Sequence, residues 1–296
     1  MNTGVTQLLS DPQRTFNAKE LAALAAYFRV VMFNTLHDRG TGHWGGSASS
    51  AELTTSLYFN RMNIRANESH WEDRDRLILS KGHASMNLYT ILAHRGFFPV
   101  EELASFRKLD SRLQGHPCMQ KIPGVDMSTG ALGHGISIGL GMAMAAKVTN
   151  KSFWTYVIVG EGCLNEGQSW EAIMSASKFK PEHFVLMVDY NKVQLDGTED
   201  EIMPLSPLSD KLKAFGWNVC PHAYDGNNTE DVLSSYEWMD EDNVWPKAVI
   251  YDTIKGKGIS FTEGKSSWHG AVIDDDSYAK GIVELKKDLQ NKEAAL

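Results

Sequence analysis

The chain has 296 residues, 42% of them hydrophobic and 22% charged, with a formal net charge of −8. These values are typical of a globular protein with a substantial core, and they argue against a nucleic-acid-binding surface, which needs clustered Lys and Arg. Any bound phosphate is therefore expected to meet a metal ion and backbone groups, and no apolar run approaches the roughly 20 residues of a membrane-spanning helix.

In chain order, the spacing of apolar residues first predicts a helix over residues 19–34, capped by Asn17, and then a loop of Gly, Ser and Ala over residues 40–50. Further helices are predicted at residues 52–60, 84–95, 133–147, 166–178, 208–215 and 229–238, and one more from about residue 277. Strands are predicted at residues 75–79, 156–159, 184–188, 217–221 and 248–254. This alternation predicts an α/β fold, a doubly wound, mostly parallel sheet flanked by helices, with residues 1–296 as a single domain.

The three cysteines, Cys118, Cys163 and Cys220, are widely spaced and form no Cys-x-x-Cys pair. This spacing indicates neither a zinc site nor a disulfide framework, and it favours a reducing compartment. We therefore expect a cytoplasmic protein that binds neither nucleic acid nor membranes.

The most informative segment covers residues 156–197. Its first strand ends at Gly160-Glu161-Gly162, where two glycines permit a sharp turn and a close approach to an anion, and its second strand ends just before Asn191. If the strands are parallel, with the 166–178 helix crossing between them, Glu161 and Asn191 both emerge at the carboxyl edge of the sheet. Two side-chain oxygens and a backbone carbonyl would leave room for phosphate oxygens, an arrangement that suits Mg²⁺.

Half of the ten histidines directly neighbour a glycine in turn-like sequence. They are His43, His83, His116, His134 and His269. A single histidine beside a glycine is more often a surface turn residue, but five such pairs favour a functional site. They are too dispersed for a dedicated metal cage, so we expect them to donate hydrogen bonds to phosphate and sugar hydroxyl groups.

The run from Gly160 to Asn191 resembles the thiamine diphosphate signature of the transketolase family, in which Gly-Asp-Gly opens a run that closes on Asn. Further segments resemble transketolase motifs in their usual order, namely residues 41–43 (TGH), 80–85 (SKGHAS), 115–117 (GHP), 128–135 (STGALGHG) and 268–270 (WHG). Together these segments indicate that the resemblance covers the chain from about residue 20 to about residue 275. One position departs from the signature, because Glu161 stands where the family has Asp.

The resemblance implies catalytic roles for three histidines. His116 would lie over the reactive carbon of the cofactor and bind the first hydroxyl of the substrate. His43 and His269 would flank the scissile bond as proton-transfer or orienting groups, and His269 would also contact the cofactor. His134 stands where the family usually has Gln, so no role is assigned to it.

The resemblance also implies a set of cofactor contacts. His83 would contact the diphosphate of the cofactor, and the N–H group of Gly162 would face a phosphate. Gly130 and Leu132 would lie beside the cofactor. Glu166 matches a family carboxylate near the active site of the partner, although an acid at a helix N-terminus, favoured by the helix dipole, is an equally good interpretation.

The resemblance implies three ligands for the metal ion: the side chains of Glu161 and Asn191 and the backbone carbonyl of Val193. It also implies that Asn191 contacts the cofactor. Glu is one methylene longer than Asp, and Mg²⁺ tolerates little deviation from octahedral geometry. We therefore expect a slightly rearranged Mg²⁺ site, or a preference relaxed toward Ca²⁺ or Mn²⁺.

A full transketolase is much longer, because a pyrimidine-binding domain and a C-terminal domain follow the diphosphate-binding domain. The resemblance therefore implies the N-terminal subunit of a split transketolase, active only with a second polypeptide in an α₂β₂ assembly. With thiamine diphosphate, the pair would transfer a two-carbon ketol group from a ketose or its phosphate to an aldose or its phosphate.

Two other functions stay open at this stage. The α subunit of a 2-oxo acid dehydrogenase carries a similar glycine-acid-glycine run, but His116 together with His269 argues against it, since those decarboxylases need not hold a polyol at both ends. A non-catalytic regulatory subunit is the other alternative, in which Glu161 would mark a degraded metal site.

Overall fold

The computed structural model describes residues 4–241 and 244–296. Six strands form one sheet in the order β1-β2-β3-β6-β4, and β5 pairs with a further part of β6. The strands are β1 (Arg76–Leu79), β2 (Thr155–Gly160), β3 (Phe184–Tyr190), β4 (Asn218–Val219), β5 (Tyr224–Asp225) and β6 (Lys247–Asp252). All of their pairings are parallel, which confirms the predicted α/β class.

Helices connect most of the strands and cover both faces of the sheet. Their bounds are α1 (Gly4–Leu8), α2 (Ala18–Arg39), α3 (Trp44–Ser49), α4 (Ala51–Ser56), α5 (Ser85–His94), α6 (His134–Val148), α7 (Gly167–Phe179), α8 (Glu199–Ile202), α9 (Leu208–Ala214), α10 (Thr229–Asp240) and α11 (Asp275–Glu293). Among the helices described, none combines the length and the apolar character that crossing a bilayer requires.

The sheet separates two hydrophobic cores because successive side chains of a strand point to opposite faces. In β2, Tyr156 and Ile158 enter one core with α2, α4, α5 and α10. Val157 and Val159 enter the other core with α6, α7 and α9. Burial on both faces explains why the strands read as continuous apolar runs rather than as an alternating pattern.

The helix cap predicted at Asn17 is confirmed. The Asn17 side chain accepts a hydrogen bond from the backbone N–H of Glu20 at 3.1 Å, and the Glu20 carboxylate accepts one from the backbone N–H of Asn17 at 2.9 Å. This capping box satisfies two N–H groups that the first turn of α2 would otherwise leave unpaired.

The loop predicted over residues 40–50 is wrong in part, since Trp44–Ser49 forms α3. Gly and Ser have low helix propensity, but every residue of α3 is buried, and tertiary packing overrides propensity in such short helices. The predicted strand 217–221 shortens to the two residues of β4, whereas α1, α8 and β5 were not predicted.

Candidate active site

A cavity of about 180 Å³ opens at the carboxyl edge of the sheet. It is lined by Gly46, Lys81, His83, Leu132, Gly160, Glu161, Gly162, Cys163, Asn191, Val193, Gln194, Leu195, Lys255 and His269. Most of the site residues predicted from the sequence therefore lie together. A larger groove of about 740 Å³ lies beyond Val193, but Val193 is the one predicted site residue that lines it, so volume alone does not locate the site.

The parallel sheet explains why distant segments meet in this cavity. Gly160, the last residue of β2, lies opposite Asp189 of β3 in the strand register. Glu161 and Asn191 follow these two positions, so both side chains leave the sheet at the same edge. Helix α7 connects β2 to β3, as predicted, so the two strands are parallel and both side chains lie at the carboxyl edge.

Glu161 carries the most unusual electrostatics of the pocket. Its side chain is only 3% exposed, and its Oε2 atom has no hydrogen-bond partner. Burial, followed by the negative charge of Asp189, raises the pKa of Glu161 to about 7, although Lys255 and Lys81 act in the opposite direction. A buried carboxylate oxygen without a donor is costly to the fold and is available to a cation.

Asn191 and Val193 are fixed beside this acid. The Asn191 Oδ1 atom accepts a hydrogen bond from the backbone N–H of Val193 at 3.3 Å. The Val193 carbonyl accepts one from Lys255 Nζ at 2.7 Å, so this oxygen already faces a positive charge. Burial lowers the pKa of Lys255 to about 8, while Glu161 acts to raise it.

Three histidine rings form one wall of the site; His83 and His269 line the cavity, and His43 packs against both rings outside its lining. The ring centroids of His43 and His83 are 5.2 Å apart, those of His43 and His269 are 5.4 Å apart, and those of His83 and His269 are 4.8 Å apart. Burial lowers the pKa of His43 to about 4 and that of His269 to about 3, and it holds the pKa of His83 well below its usual value. At neutral pH each ring is uncharged and offers one N–H donor and one nitrogen acceptor.

The tautomer of His269 follows from its neighbour. Lys255 Nζ lies 2.8 Å from His269 Nδ1. Because a charged lysine has only donors, Nδ1 must act as the acceptor, and the proton of the neutral ring is then on Nε2. His269 can therefore donate a hydrogen bond from Nε2 to a bound molecule.

His116 and Gly130 lie together beside this wall rather than in the cavity lining. A Cβ atom on Gly130 would lie 3.5 Å from Cδ2 of His116, so the absent side chain leaves space next to the ring.

The backbone of Arg107 is in the left-handed region, with a φ of 56°. Its guanidinium donates to Thr41 Oγ1 at 2.8 Å and lies 3.5 Å from His43 Nδ1.

Glu166 and His134 lie outside the cavity. Glu166 is exposed and is the residue that precedes α7, where its side chain makes no capping hydrogen bond. His134 is the exposed first residue of α6. Neither side chain contacts the pocket within this chain, so the role near a partner that the resemblance implies for Glu166 stays a prediction.

Sequence reasoning missed the lysines of the pocket, Lys81 and Lys255, which are 2% and 3% exposed. Phosphate binding was expected to depend on a metal ion and backbone groups, because the chain is acidic overall. Net charge does not report local placement, and here two ammonium groups line the pocket. The signal was present, since both lysines follow shortly after strands that end at the carboxyl edge.

The described part of the chain contains no group of three or more His, Cys, Asp or Glu side chains placed to hold a metal ion. The predicted set differs in kind, since it combines one carboxylate with an amide oxygen and a backbone carbonyl. Such oxygen donors suit a cation that keeps positions open for water and phosphate.

The family described as "Transketolase, thiamine diphosphate binding domain" matches residues 21–291. A 6-deoxy-6-sulfo-D-fructose transketolase subunit of a Clostridium species is 39% identical, over 91% of this chain and 97% of that protein. An apulose-4-phosphate transketolase subunit of Phocaeicola vulgatus is 37% identical, over 90% of this chain and 93% of that protein.

Among solved structures, the transketolase of Campylobacter jejuni superposes with a TM-score of 0.85 at 27% identity and covers 95% of this chain. The matched region is 46% of that transketolase, so the chain spans about half the length of the solved enzyme. The family match and the two subunit-length relatives lead to one conclusion: this chain belongs to the transketolase family and forms its thiamine diphosphate-binding domain.

Proposed function

We propose that this chain is the diphosphate-binding subunit of a two-chain transketolase. The pair transfers a two-carbon ketol group from a ketose or ketose phosphate to an aldose or aldose phosphate. The observation that carries the proposal is the meeting of Glu161, Asn191 and Val193 with uncharged His83 and His269 in one cavity. Family membership supports this reaction class over that of a 2-oxo acid dehydrogenase.

The residues of the cavity fit thiamine diphosphate and a divalent cation. The unpartnered Oε2 of Glu161 gives a cation a ready ligand, and the oxygens of Asn191 and Val193 complete the protein's share of the site. Mg²⁺ is the proposed ion, with Ca²⁺ or Mn²⁺ as alternatives, because Glu161 is longer than the family's Asp. The ammonium groups of Lys81 and Lys255 supply positive charge for a diphosphate.

When bound, thiamine diphosphate supplies the carbon nucleophile and the electron sink of the reaction. The protein's histidines then handle protons and orientation. His43 or His269 moves the proton at the donor hydroxyl next to the bond that breaks, and His116 holds the first hydroxyl of the ketose. Since their rings are neutral, they can accept a proton, and such help contributes about 10²- to 10⁴-fold each.

The second chain is part of the proposal. Residues 1–296 act as one diphosphate-binding domain, while the pyrimidine-binding and C-terminal domains are on the partner, in an α₂β₂ heterotetramer. Near-complete coverage of relatives named as subunits supports this arrangement. A cytoplasmic location is proposed because all three cysteines are free.

The reconstituted pair tests the function directly. We expect ketol transfer from a ketose to an aldose that depends on thiamine diphosphate and Mg²⁺, and no oxidation of a 2-oxo acid with an electron acceptor. Asn191→Ala should weaken metal-dependent cofactor binding, measured by calorimetry. Failure to bind the cofactor with Mg²⁺, both with and without the second subunit, would favour the regulatory alternative.

A further inference from the structure

Asp189 joins three separate segments of the chain inside the protein. The residue lies near the end of β3, and its side chain is fully buried. Its carboxylate accepts hydrogen bonds from Ser49 of α3 at 2.7 Å, from Lys81 after β1 and from Thr253 after β6. A buried carboxylate with three side-chain donors is fully satisfied, in contrast to neighbouring Glu161.

Each member of this cluster is close in sequence to a residue that lines the pocket. The four pairs are Ser49 with Gly46, Lys81 with His83, Asp189 with Asn191, and Thr253 with Lys255. Lys81 itself also lines the cavity, and Ser49, Asp189 and Thr253 lie behind the segments that line it. A shift of any one member would move the wall that it carries.

Two further contacts close the cluster. Lys81 Nζ also donates to the carbonyl of Gly46 at 2.6 Å, and it lies 3.3 Å from Ser49 Oγ. The Asn227 side chain bridges the two outer segments, since it donates to the carbonyl of Ser49 and accepts from the N–H of Ile254, both at 2.9 Å. Protein groups thus occupy all three N–H groups of Lys81, so its ammonium ties segments together as well as supplying charge.

We propose that Asp189 is a positioning residue that sets the spacing of the pocket walls for the diphosphate and its metal ion. The inference rests on the proposed function. Asp189 touches neither ligand and acts through Ser49, Lys81 and Thr253. Replacing its carboxylate by a neutral amide leaves the Lys81 ammonium without its counter-charge and loosens the walls that carry His83 and Lys255.

Asp126 provides a matched control for this substitution. It is also a buried carboxylate, and it accepts hydrogen bonds from Arg74 and from the backbone N–H of Leu77 at the opposite edge of the sheet. Asp126→Asn therefore breaks a buried carboxylate–cation contact of the same kind, far from the pocket. If lower stability alone weakened cofactor binding, both variants should bind the cofactor less tightly. If positioning is lost, only Asp189→Asn should bind it less tightly.

The test measures the dissociation constant of thiamine diphosphate, with saturating Mg²⁺, for the full chain together with its second subunit. Calorimetry is performed well below the melting temperature of each variant. We expect Asp189→Asn to raise the dissociation constant by about tenfold or more, since hydrogen bonds to charged groups are the strong ones. Asp126→Asn should change it by less than about twofold, although it lowers the melting temperature.

Two more variants make the test specific. Thr253→Val removes one donor and preserves shape, and we expect the dissociation constant to rise by about threefold, because one of the three side-chain hydrogen bonds to the Asp189 carboxylate is lost. In a Lys81→Met background, adding Asp189→Asn should raise the dissociation constant by a smaller factor than it does in the wild type, because part of its effect passes through Lys81. A merely structural acid would not produce this non-additivity.

The outcomes separate the two proposals. If the wild-type pair binds no thiamine diphosphate, the proposed function fails and the positioning role fails with it. If the wild type binds and Asp189→Asn binds equally well, or Asp126→Asn weakens binding as much, the positioning role alone is overturned. If Asp189→Asn does not fold, Thr253→Val decides, and wild-type affinity in that variant rejects the role.

Discussion

The two edges of the sheet differ in how many hydrogen bonds their buried carboxylates accept. At the amino edge, Asp126 accepts hydrogen bonds from Arg74 and Leu77, and Asp75 accepts two from backbone N–H groups. At the carboxyl edge, Glu161 is equally buried but leaves Oε2 without a partner. Burial is the largest influence on the pKa of both Asp126 and Glu161, and it raises both.

The difference shows that burial and a raised pKa do not by themselves identify a functional acid. What distinguishes the two edges is whether the protein supplies donors to every carboxylate oxygen. Acids at the amino edge are satisfied by the fold and stabilise it. Glu161 is incomplete until a cation or another donor is supplied, which is the property expected of a ligand.

The largest expected effect concerns catalysis at the carboxyl edge. His116→Ala should lower the turnover of the reconstituted pair by about 10²- to 10⁴-fold, since the substrate loses an orienting and acid–base group. The affinity for thiamine diphosphate should stay nearly unchanged. Steady-state kinetics and calorimetry measure the two quantities, and an unaltered rate would remove His116 from the site.

At the amino edge the expected effect is on folding. Asp126→Asn should lower the free energy of unfolding by about 3 kcal/mol, because it leaves Arg74 without its buried partner. Denaturant titration of the full chain measures this change. A variant as stable as the wild type would show that the satisfied acids of this edge do not stabilise the fold, and the comparison between the edges would lose its basis.

The same type of substitution should act in the opposite direction at Glu161. The folded protein holds the pKa of Glu161 near 7, above the ordinary value of 4.5, so the folded state binds more protons between these pH values. Wild-type stability therefore falls as pH rises through this window, and Glu161→Gln escapes that loss.

In the absence of metal, we expect Glu161→Gln to be more stable than the wild type at pH 8 by about 1–3 kcal/mol, with little difference at pH 4.5. Its metal affinity should drop by at least about tenfold. Thermal melts with a chelator and metal titrations provide the two measurements. A destabilised Gln variant at pH 8 would contradict the assignment of Glu161 as an unsatisfied acid.

The smallest effect concerns a histidine away from the pocket. Burial lowers the pKa of His94, whose Nδ1 lies 2.8 Å from the carbonyl of Thr90. His94 therefore binds a proton more readily in the unfolded chain than in the folded chain. As a result, the free energy of unfolding falls as pH drops below 6.5. His94→Gln should weaken this acid sensitivity, so the melting temperatures at pH 7 and pH 5 should differ less in the variant than in the wild type. An identical slope would exclude His94 as a contributor.

The part of the pocket that could be predicted from the sequence is the part that depends only on strand direction. Glu161 and Asn191 follow neighbouring parallel strands, so their meeting follows from the direction of those strands. The unpartnered oxygen of Glu161 could not be predicted, because it depends on which donors distant segments bring. Helix α3 was missed for the same reason, since burial rather than propensity holds its Gly and Ser residues in a helix.

The strand order has a consequence for how the site comes into existence. Gly46 and His269 line one cavity although about three quarters of the chain separates them, and the segments that follow β1 and β6 each contribute lining residues. Such non-local pairing forms late, after loop closure over long distances. No excised fragment should therefore retain ligand binding, and during synthesis the chain becomes competent to receive a cofactor only once its C-terminal third has joined the sheet.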